Sequence, residues 1–347
     1  MNRKKGWLVA LPLGVMAVLS GQGAVQFQFT YADVTGSTGT GFDDAVLGAT
    51  RRAALSSAAG LMANYFSSYT ATITVNVTSV SLNSSTLASA GSGVPATVGF
   101  QPTVVQTKII SGTDLNGASD DAQIQFNFFH GWDYDDTISG SLFDFKAVTM
   151  HEIGHTLGFF SWISETGTGG FNNASGAADL WSTFDSFLTD AAGNRLVKTD
   201  FKYDTSLGTG LLKGNPGVFF SGPNAMAAYG GRVPIYTPTT FREGSSMSHT
   251  DDNTFTGIND LMMNATVGTG PGVRTLSAIE LGIFRDLGYA SVPEPETVVW
   301  WAGLGLFGWA AGRRVRVTFG GSSRPLPTPR PSAAPHQSQA AEGWRTP

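Results

Sequence analysis

The pattern of apolar and polar residues near the start of the chain's body predicts a strand followed by a helix. Residues 25–31 alternate between apolar and polar side chains, which is typical of a strand with one buried face. Apolar residues recur at helical spacing through 47–65, and Asp43 or Asp44 can cap that helix. Further strand-like runs, separated by clusters of Gly, Ser, Asn and Asp, are predicted at 70–82, 103–110 and 123–129.

Two more helices are predicted, at 142–160 and 277–287, on either side of a loop-rich region. Between them the helical spacing lapses, apart from a short apolar segment at 179–188. Residues 163–250 are rich in Gly, Ser, Thr and Asn, a composition typical of long surface loops and short strands. This order of strands and helices predicts one α+β domain over 25–290.

Composition narrows the class of protein. The chain has 347 residues with 44 Gly, 16 Pro and no Cys, which excludes a disulfide framework, a thiolate nucleophile and a Cys-bound metal. Its net charge of −5 conceals an acidic body, since residues 25–290 contain 12 Lys and Arg against 23 Asp and Glu. An acidic body argues against nucleic acid as a partner, because phosphate binding requires clustered basic residues.

The first 24 residues have the organisation of a signal peptide. Basic residues at 3–5 precede an apolar run at 7–19, and small residues at 21–24 offer a cleavage site. The apolar run is too short to cross a bilayer core about 30 Å thick. We therefore predict that residues 1–24 are removed and that the mature protein is exported.

A second targeting segment follows the body. A Val-Pro-Glu-Pro string at 292–295 precedes an apolar stretch at 298–312 and an arginine cluster at 313–316. In that order these features resemble the PEP-CTERM sorting signal of exported proteins of Gram-negative bacteria. The resemblance implies a sorting segment over 291–316 that anchors transiently in the membrane through its apolar helix. It also implies handling by the export and sorting machinery, with a destination at the cell surface, outer envelope or extracellular matrix.

The chain continues past the arginine cluster. Residues 317–347 are rich in Pro, Ser, Ala and Arg and contain four prolines spaced at two. A segment of this composition cannot bury a core of its own. We therefore predict a disordered tail over these residues.

Candidate catalytic chemistry is concentrated in the helix predicted at 142–160. It contains His151-Glu152-Ile153-Gly154-His155, in which two histidines four residues apart share one helical face and can bind one metal ion. Glu152 can act as the general base that activates a water molecule. Apolar residues on both sides of the motif indicate a buried helix, and buried His and Glu side chains need partners. A shared divalent metal ion would provide them.

Spacing alone leaves the third ligand of such a site open. A catalytic zinc site uses three protein ligands and keeps one position for water. The compact metzincin pattern has a histidine three residues beyond the glycine at Gly158, where this chain has Ser161. The remaining candidates in the body are His249, the carboxylates Glu165, Asp179 and Asp185, and His130 at the end of a predicted strand.

Residues 123–289 resemble the leishmanolysin-type metallopeptidases, which are metzincin-like zincins. The resemblance is carried by the string HEIGHTLGF at 151–159, the Ser-His pair at 248–249, a Leu-Met turn within 260–264 and a closing helix at 281–289. In this family a large insertion separates the helical histidines from a third histidine, and a methionine-containing turn follows. The resemblance therefore implies that His249 is the third zinc ligand and that Met262 forms a floor beneath the metal.

The same resemblance implies a fold and an activity. The fold would be a zincin-like α+β domain, in which a twisted mixed sheet and the HExxH helix are joined to a loop-rich C-terminal subdomain. The activity would be that of an exported zinc endopeptidase with one catalytic Zn²⁺ and protein or peptide substrates, and 123–129 would be an edge strand that aligns an extended peptide. Two other functions stay open: a non-catalytic surface or matrix protein that retains the scaffold for binding, and a metal-dependent hydrolase of non-peptide substrates.

Two acidic clusters are candidates for a structural Ca²⁺ ion, since hard cations bind clustered oxygen ligands. Their members are Asp114, Asn116, Asp120 and Asp121 in the first cluster, and Asp133, Asp135 and Asp136 in the second. Neither cluster has the spacing of an EF-hand loop. Solvated acidic turns are the alternative interpretation of both.

Overall fold

The structure is a computed structural model that describes residues 24–31, 41–214 and 217–290. Helices and strands alternate through these residues, so the protein belongs to the α+β class, as the sequence predicts. Three predicted segments lie outside the described residues, and their assignments stay predictions. They are residues 1–23 of the signal peptide, the sorting segment 291–316 and the tail 317–347. Within the described ranges, no helix has both the length and the apolar character needed to cross a membrane.

Eleven strands and five α-helices are found in the described residues. The strands are β1 (Val25–Tyr31), β2 (Ala71–Val80), β3 (Ala88–Ser92), β4 (Gly99–Gln101), β5 (Ala122–Asn127), β6 (Trp132–Asp133), β7 (Phe143–Asp144), β8 (Leu180–Ser182), β9 (Leu188–Thr189), β10 (Val218–Phe220) and β11 (Val233–Ile235). The helices are α1 (Gly48–Asn64), α2 (Val104–Ser111), α3 (Phe145–Thr156), α4 (Pro223–Tyr229) and α5 (Ala278–Asp286).

The main sheet has the strand order β1-β2-β5-β3. β1, β2 and β5 are parallel, and β3 pairs antiparallel with β5. β5 is therefore an interior strand, and the prediction that 123–129 forms an edge is wrong. The edge next to β5 is β3, and the other edge is β1. The β3 sequence Ala-Ser-Ala-Gly-Ser has neither β-branched nor large apolar residues, so no alternation of hydrophobicity reveals it.

Residues 103–110, predicted as a strand, form helix α2 instead. The local signal is a capping box, in which Thr103 Oγ1 accepts the N–H of Gln106 (2.9 Å) and Gln106 Oε1 accepts the N–H of Thr103 (3.3 Å). Gly112 ends the helix in the left-handed conformation with φ 71°. The two caps outweigh the strand propensity of the Val and Ile residues between them.

Helix α3 lies in the centre of the molecule, where it packs against α1 and β3. Asp144 caps its start, since its carboxylate accepts the N–H of Ala147 (3.0 Å). α3 spans 12 residues and is therefore shorter than the predicted 142–160. All twelve of its residues are buried, as the apolar flanks of the motif predict. The chain leaves it at Gly158, where a φ of 103° requires glycine and turns the backbone sharply away.

The described part of 163–250 consists mainly of loops and short strands, as its composition predicts, with three short 3₁₀ helices and the short helix α4. β9, β10 and β11 form a small antiparallel sheet, and β8 pairs with β4. α4 packs against the closing helix α5. Residues 241–248, after β11, line the cleft described with the site.

Candidate metal centre

Three buried histidines, His151, His155 and His249, form a cluster whose ring nitrogens converge. Their Nε2 atoms lie 3.0 Å apart for His155 and His151, 3.1 Å for His155 and His249, and 3.2 Å for His151 and His249. His151 and His155 lie one turn apart on α3, whereas His249 belongs to the segment after β11. Among the residues that the structure describes, this histidine cluster is the group of His, Asp and Glu side chains able to hold a metal ion.

Backbone pairing holds His249 against the helix. The N–H of Tyr236 donates to the carbonyl of His249 (2.9 Å), and the N–H of Thr250 donates to the carbonyl of Met263 (2.9 Å). The Thr250 hydroxyl donates to Oδ1 of Asn264 (2.8 Å). The His249 segment is thereby fixed between the continuation of β11 and the turn that contains Met263.

The hydrogen bonds of the Nδ1 atoms define the tautomer of each ring in the histidine cluster. Nδ1 of His151, His155 and His249 lies 2.7 Å from the backbone carbonyls of Met262, Phe159 and Ser245 respectively. A carbonyl can only accept, so each Nδ1 carries the proton and each neutral ring has a lone pair on Nε2. Three lone pairs therefore face one another at about the separation of hydrogen-bond partners with no proton between them. Such an arrangement is stabilised by a cation and suits a metal site.

Electrostatics keeps these imidazoles neutral. Burial lowers the pKa of His155 to about 4. Burial, reinforced by the neighbouring histidines, holds the pKa of His151 and of His249 well below its ordinary value. Because metal binding requires the unprotonated ring, the site is prepared to bind a metal ion at neutral pH without first losing protons.

Glu152 lies beside the histidine cluster in sequence and is equally buried, with 1% of its surface exposed. Neither carboxylate oxygen has a hydrogen-bond partner among the described residues. Burial raises the pKa of Glu152 well above its ordinary value. An unpartnered buried carboxyl group costs about 1–3 kcal/mol or more, so its presence here indicates a role that the fold alone does not require.

Met263, the residue after Met262, packs against the histidine helix, and the role of Met262 as a floor beneath the metal stays a prediction. A methyl group added at Gly154, between the two helical histidines, would lie 2.6 Å from Sδ and 3.1 Å from Cε of Met263. Met262 contributes its backbone carbonyl, which accepts the hydrogen bond from His151. Consecutive residues of an extended turn point in different directions, so the sequence could not show which of two adjacent methionines faces the helix.

The other candidates for a third ligand have separate structural roles. Asp179 accepts four backbone N–H groups, those of Gly169, Phe171, Asn173 and Leu180, at 2.8–3.0 Å. Glu165 pairs with Lys213, and His130 makes ring contacts with Phe129 and Phe143. The residue that the structure brings to His151 and His155 is therefore His249.

Asp185, the last of these candidates, anchors the chain just after α3. It is fully buried and accepts hydrogen bonds from the Ser161 hydroxyl (2.5 Å), the Trp162 N–H (3.0 Å) and the Ser182 N–H (2.8 Å). Burial raises the pKa of Asp185 to about 6, against the opposing effect of these bonds. The Ser161 N–H in turn donates to the hydroxyl of Ser248 (3.1 Å), next to His249. Ser161 occupies the position of the histidine in the compact metzincin pattern. Through these bonds it links the segment after α3 to the segment that contains His249.

Neither acidic cluster supports the prediction of calcium, because basic side chains already pair with acidic members of both. Lys108 Nζ lies 3.0 Å from carboxylate oxygens of both Asp114 and Asp121. In the second cluster, Asp136 pairs with Lys146 (2.7 Å) and with Arg274 (2.9 Å). An ammonium or guanidinium group therefore occupies the place that a cation would take.

A cleft of about 550 Å³ passes the histidine cluster. One wall is the edge strand β3 with the neighbouring β5, and the opposite wall is formed by 160–163 and 241–248. His155 lines the cleft, as do the aromatic side chains of Phe160, Trp162 and Phe241. Glu243 is the one acidic or basic side chain in the lining apart from the neutral His155. Because His155 and the residues of β3 line the same cleft, a ligand bound along β3 would lie beside the candidate metal centre.

Comparison of the chain with protein-family models, with curated proteins and with solved structures gives no match. The backbone acceptors of Ser245, Phe159 and Met262 were not apparent in the sequence, because every residue has a carbonyl. Glu280, which binds the turn of Met263, could have been noticed through the capping-box spacing of Ser277 and Glu280.

Proposed function

We propose that the protein is an exported zinc-dependent endopeptidase with a zincin-like fold. The observation that carries the proposal is the convergence of three buried imidazole lone pairs beside a buried, unpartnered glutamate. Export and C-terminal sorting belong to the same proposal and rest on the sequence of 1–24 and 291–316.

The donor set suits zinc. Three nitrogen ligands at about 2.0–2.1 Å from a tetrahedral zinc ion are about 3.3–3.4 Å from one another, and the Nε2 separations of 3.0–3.2 Å are close to this value. Each ring donates its other N–H to a backbone carbonyl, the support that metal-binding histidines ordinarily have. Bound zinc would supply a Lewis acid that acidifies water and polarises the scissile carbonyl.

Glu152 is the proposed general base and acid. It takes a proton from the attacking water and returns it to the amine of the leaving peptide. Burial raises the pKa of Glu152 and so favours the protonated form that returns the proton to the amine. His151 and His155, held as neutral rings by the carbonyls of Met262 and Phe159, contribute ligand nitrogens and take no part in proton transfer.

Substrate alignment is assigned to the edge strand β3. The N–H of Asn127 donates to the carbonyl of Leu87 (2.8 Å), and hydrogen-bonded pairs alternate along antiparallel strands. Ser89 and Gly91 therefore bond to β5, whereas the N–H and C=O of Ala90 are directed to the open edge. An extended peptide can add to this edge by main-chain hydrogen bonds, beside the cleft that His155 lines.

The test is proteolysis of an unfolded protein by the purified, zinc-loaded full chain. Glu152→Gln should lower kcat/KM by about 10²–10⁴, the usual contribution of a general base. The matched control is Glu165→Gln, because Glu165 pairs with Lys213 away from the histidine cluster and its change should leave the rate within a factor of about two. Chelation should abolish cleavage and added zinc restore it. Cleavage that survives both Glu152→Gln and chelation would disprove the proposal. Hydrolysis of small esters without proteolysis would indicate instead that the site acts on non-peptide substrates.

A further inference from the structure

A buried carboxylate that does not touch the histidine cluster is connected to it through one peptide unit. Glu280, at the start of α5, is fully buried. Its Oε1 accepts the N–H of Met263 (2.7 Å), and its Oε2 accepts the N–H of Ser277 (2.7 Å). The Met263 N–H belongs to the same peptide unit as the Met262 carbonyl, which accepts the Nδ1–H of His151 (2.7 Å). The carboxylate and the imidazole therefore bind opposite ends of a single amide.

The other two histidines provide a comparison within the same site. The carbonyls that accept from His155 and His249 belong to the peptide units of Phe159–Phe160 and Ser245–Ser246. The N–H groups of those units donate to neutral backbone carbonyls, of Gly158 (3.0 Å) and Arg242 (2.8 Å). Only the amide behind His151 is bonded to a carboxylate among the three.

We propose that Glu280 is a positioning residue that orients His151 and raises its strength as a metal ligand through the Met262–Met263 amide. A charged acceptor on the N–H of an amide polarises it, so that its carbonyl becomes a stronger acceptor for the imidazole N–H. A stronger acceptor at Nδ1 increases the electron density at Nε2, as a carboxylate does when it binds a metal-bound histidine directly. The inference rests on the proposed metal site but not on peptidase activity.

A capping role alone does not account for Glu280. A capping box uses one oxygen, and the Ser277 N–H occupies Oε2. The remaining oxygen is directed to Met263, 17 residues earlier in the chain. Burial raises the pKa of Glu280, while hydrogen bonds from Ser277, Met263 and Met262 oppose that shift. A helix cap could be made on the surface, whereas this one is made at full burial and reaches the turn that holds the histidine.

The test compares Glu280→Gln with Ser277→Ala in the full chain. Glutamine can accept from only one of the two N–H groups and presents its own N–H₂ to the other, whereas Ser277→Ala weakens the same helix start by about 1 kcal/mol and leaves the carboxylate on Met263. Two quantities are measured: zinc affinity, by competition with a chromophoric chelator, and the three imidazole Nδ1–H proton resonances, by NMR.

Glu280→Gln should weaken zinc binding by about 10–100-fold, the usual effect of losing a group that supports a ligand. It should also move the Nδ1–H resonance of His151 upfield, with those of His155 and His249 unchanged. Ser277→Ala should keep the affinity within about twofold and leave all three resonances in place. Equal losses of affinity in the two variants, or an unmoved His151 resonance in Glu280→Gln, would overturn the inference.

The wild-type protein gives a further test that does not depend on the folding of a variant. Its Met263 amide proton should be shifted further downfield than those of Phe160 and Ser246, since only the first donates to a carboxylate. The His151 Nδ1–H should likewise lie downfield of the other two. Equivalent shifts would contradict the inference. Both measurements can be made on metal-free protein, so a failure to bind zinc would count against the proposed function and leave the test of the amide connection intact.

Discussion

Replacing Gly154 by alanine tests the contact between the histidine helix and the methionine beneath it. In a helix interior alanine is favoured over glycine by about 0.5–1 kcal/mol. At Gly154 the added methyl group would lie 2.6 Å from Sδ of Met263, a residue that is itself fully buried. Overpacking of this kind costs about 1–3 kcal/mol. The two effects oppose each other, and we expect a net loss of up to about 2 kcal/mol.

The matched control is Gly60→Ala in α1. Gly60 is also inside a helix, but it is exposed and an added methyl group meets no atom within 4 Å. This variant should therefore gain the full helix-propensity term of about 0.5–1 kcal/mol. The difference between the two alanine variants isolates the packing term, because the chemical change and the secondary structure are the same.

Urea denaturation of the chelated protein, followed by circular dichroism, gives both free energies of unfolding. Gly154→Ala should unfold with a free energy about 1–3 kcal/mol lower than Gly60→Ala, which corresponds to a difference in Tm of about 2–12 °C for a domain of this size. Displacement of Met263 also moves the Met262 carbonyl, so zinc affinity should fall in Gly154→Ala alone. If Gly154→Ala is stabilised as much as Gly60→Ala, the close packing of Met263 on the helix is refuted.

Two further outcomes follow from the site and its surroundings. Zinc at a free concentration of 100 times Kd should raise the free energy of unfolding by about 2.7 kcal/mol. In thermal melts, His249→Ala should abolish this stabilisation and His130→Ala should preserve it. The reverse result would show that His249 is not a zinc ligand. Burial raises the pKa of Asp252 to about 6 from an unfolded value near 4, so its charge destabilises the folded state increasingly as pH rises from 4 to 6. Asp252→Asn, which can still accept from the Ala265 N–H and can donate to the Thr266 hydroxyl, should therefore stabilise by roughly 2–3 kcal/mol at pH 7 and by little at pH 4. Urea titrations at the two pH values check this, and an equal effect at both would contradict it.

Elements with strong local signals could be predicted from the sequence. α3 follows a capping aspartate, Asp144, and has apolar residues around its whole circumference, both of which are visible in the residues themselves. α5 has the capping pair Ser277 and Glu280. In each case the chemistry that begins the helix is local, so no knowledge of distant contacts is needed.

Elsewhere the decisive contacts lie far apart in sequence or compete with propensity. α2 contains residues that favour strands, and its capping box decides the outcome. β3 has almost no intrinsic preference and exists because β5 offers it a partner. The order of strands in the sheet, and with it the identity of the edge, depends on such pairings and could not be deduced from alternation within each strand.

For the site, the sequence indicated side chains but not the groups that hold them. His151, Glu152 and His155 were recognisable from their spacing on one helix. His249 was one of several candidates until backbone pairing of His249 with Tyr236 and of Thr250 with Met263 placed it beside them. The contact of Met263 with the helix has the same cause, because only the three-dimensional turn shows that this side chain faces Gly154.

The long interval between the ligands has a consequence for how such a protein can diverge. His155 and His249 are 94 residues apart, yet each is held by its own neighbourhood, through the carbonyls of Phe159 and Ser245. Doubling the length of a flexible loop costs only about 0.6 kcal/mol in closure entropy. Insertions or deletions in the exposed loops of this interval, away from Asp185 and from the pairing of Tyr236 with His249, can therefore reshape the surroundings of the cleft while the metal geometry stays unchanged. Selection for new substrates could therefore change the wall of the cleft without weakening the metal site.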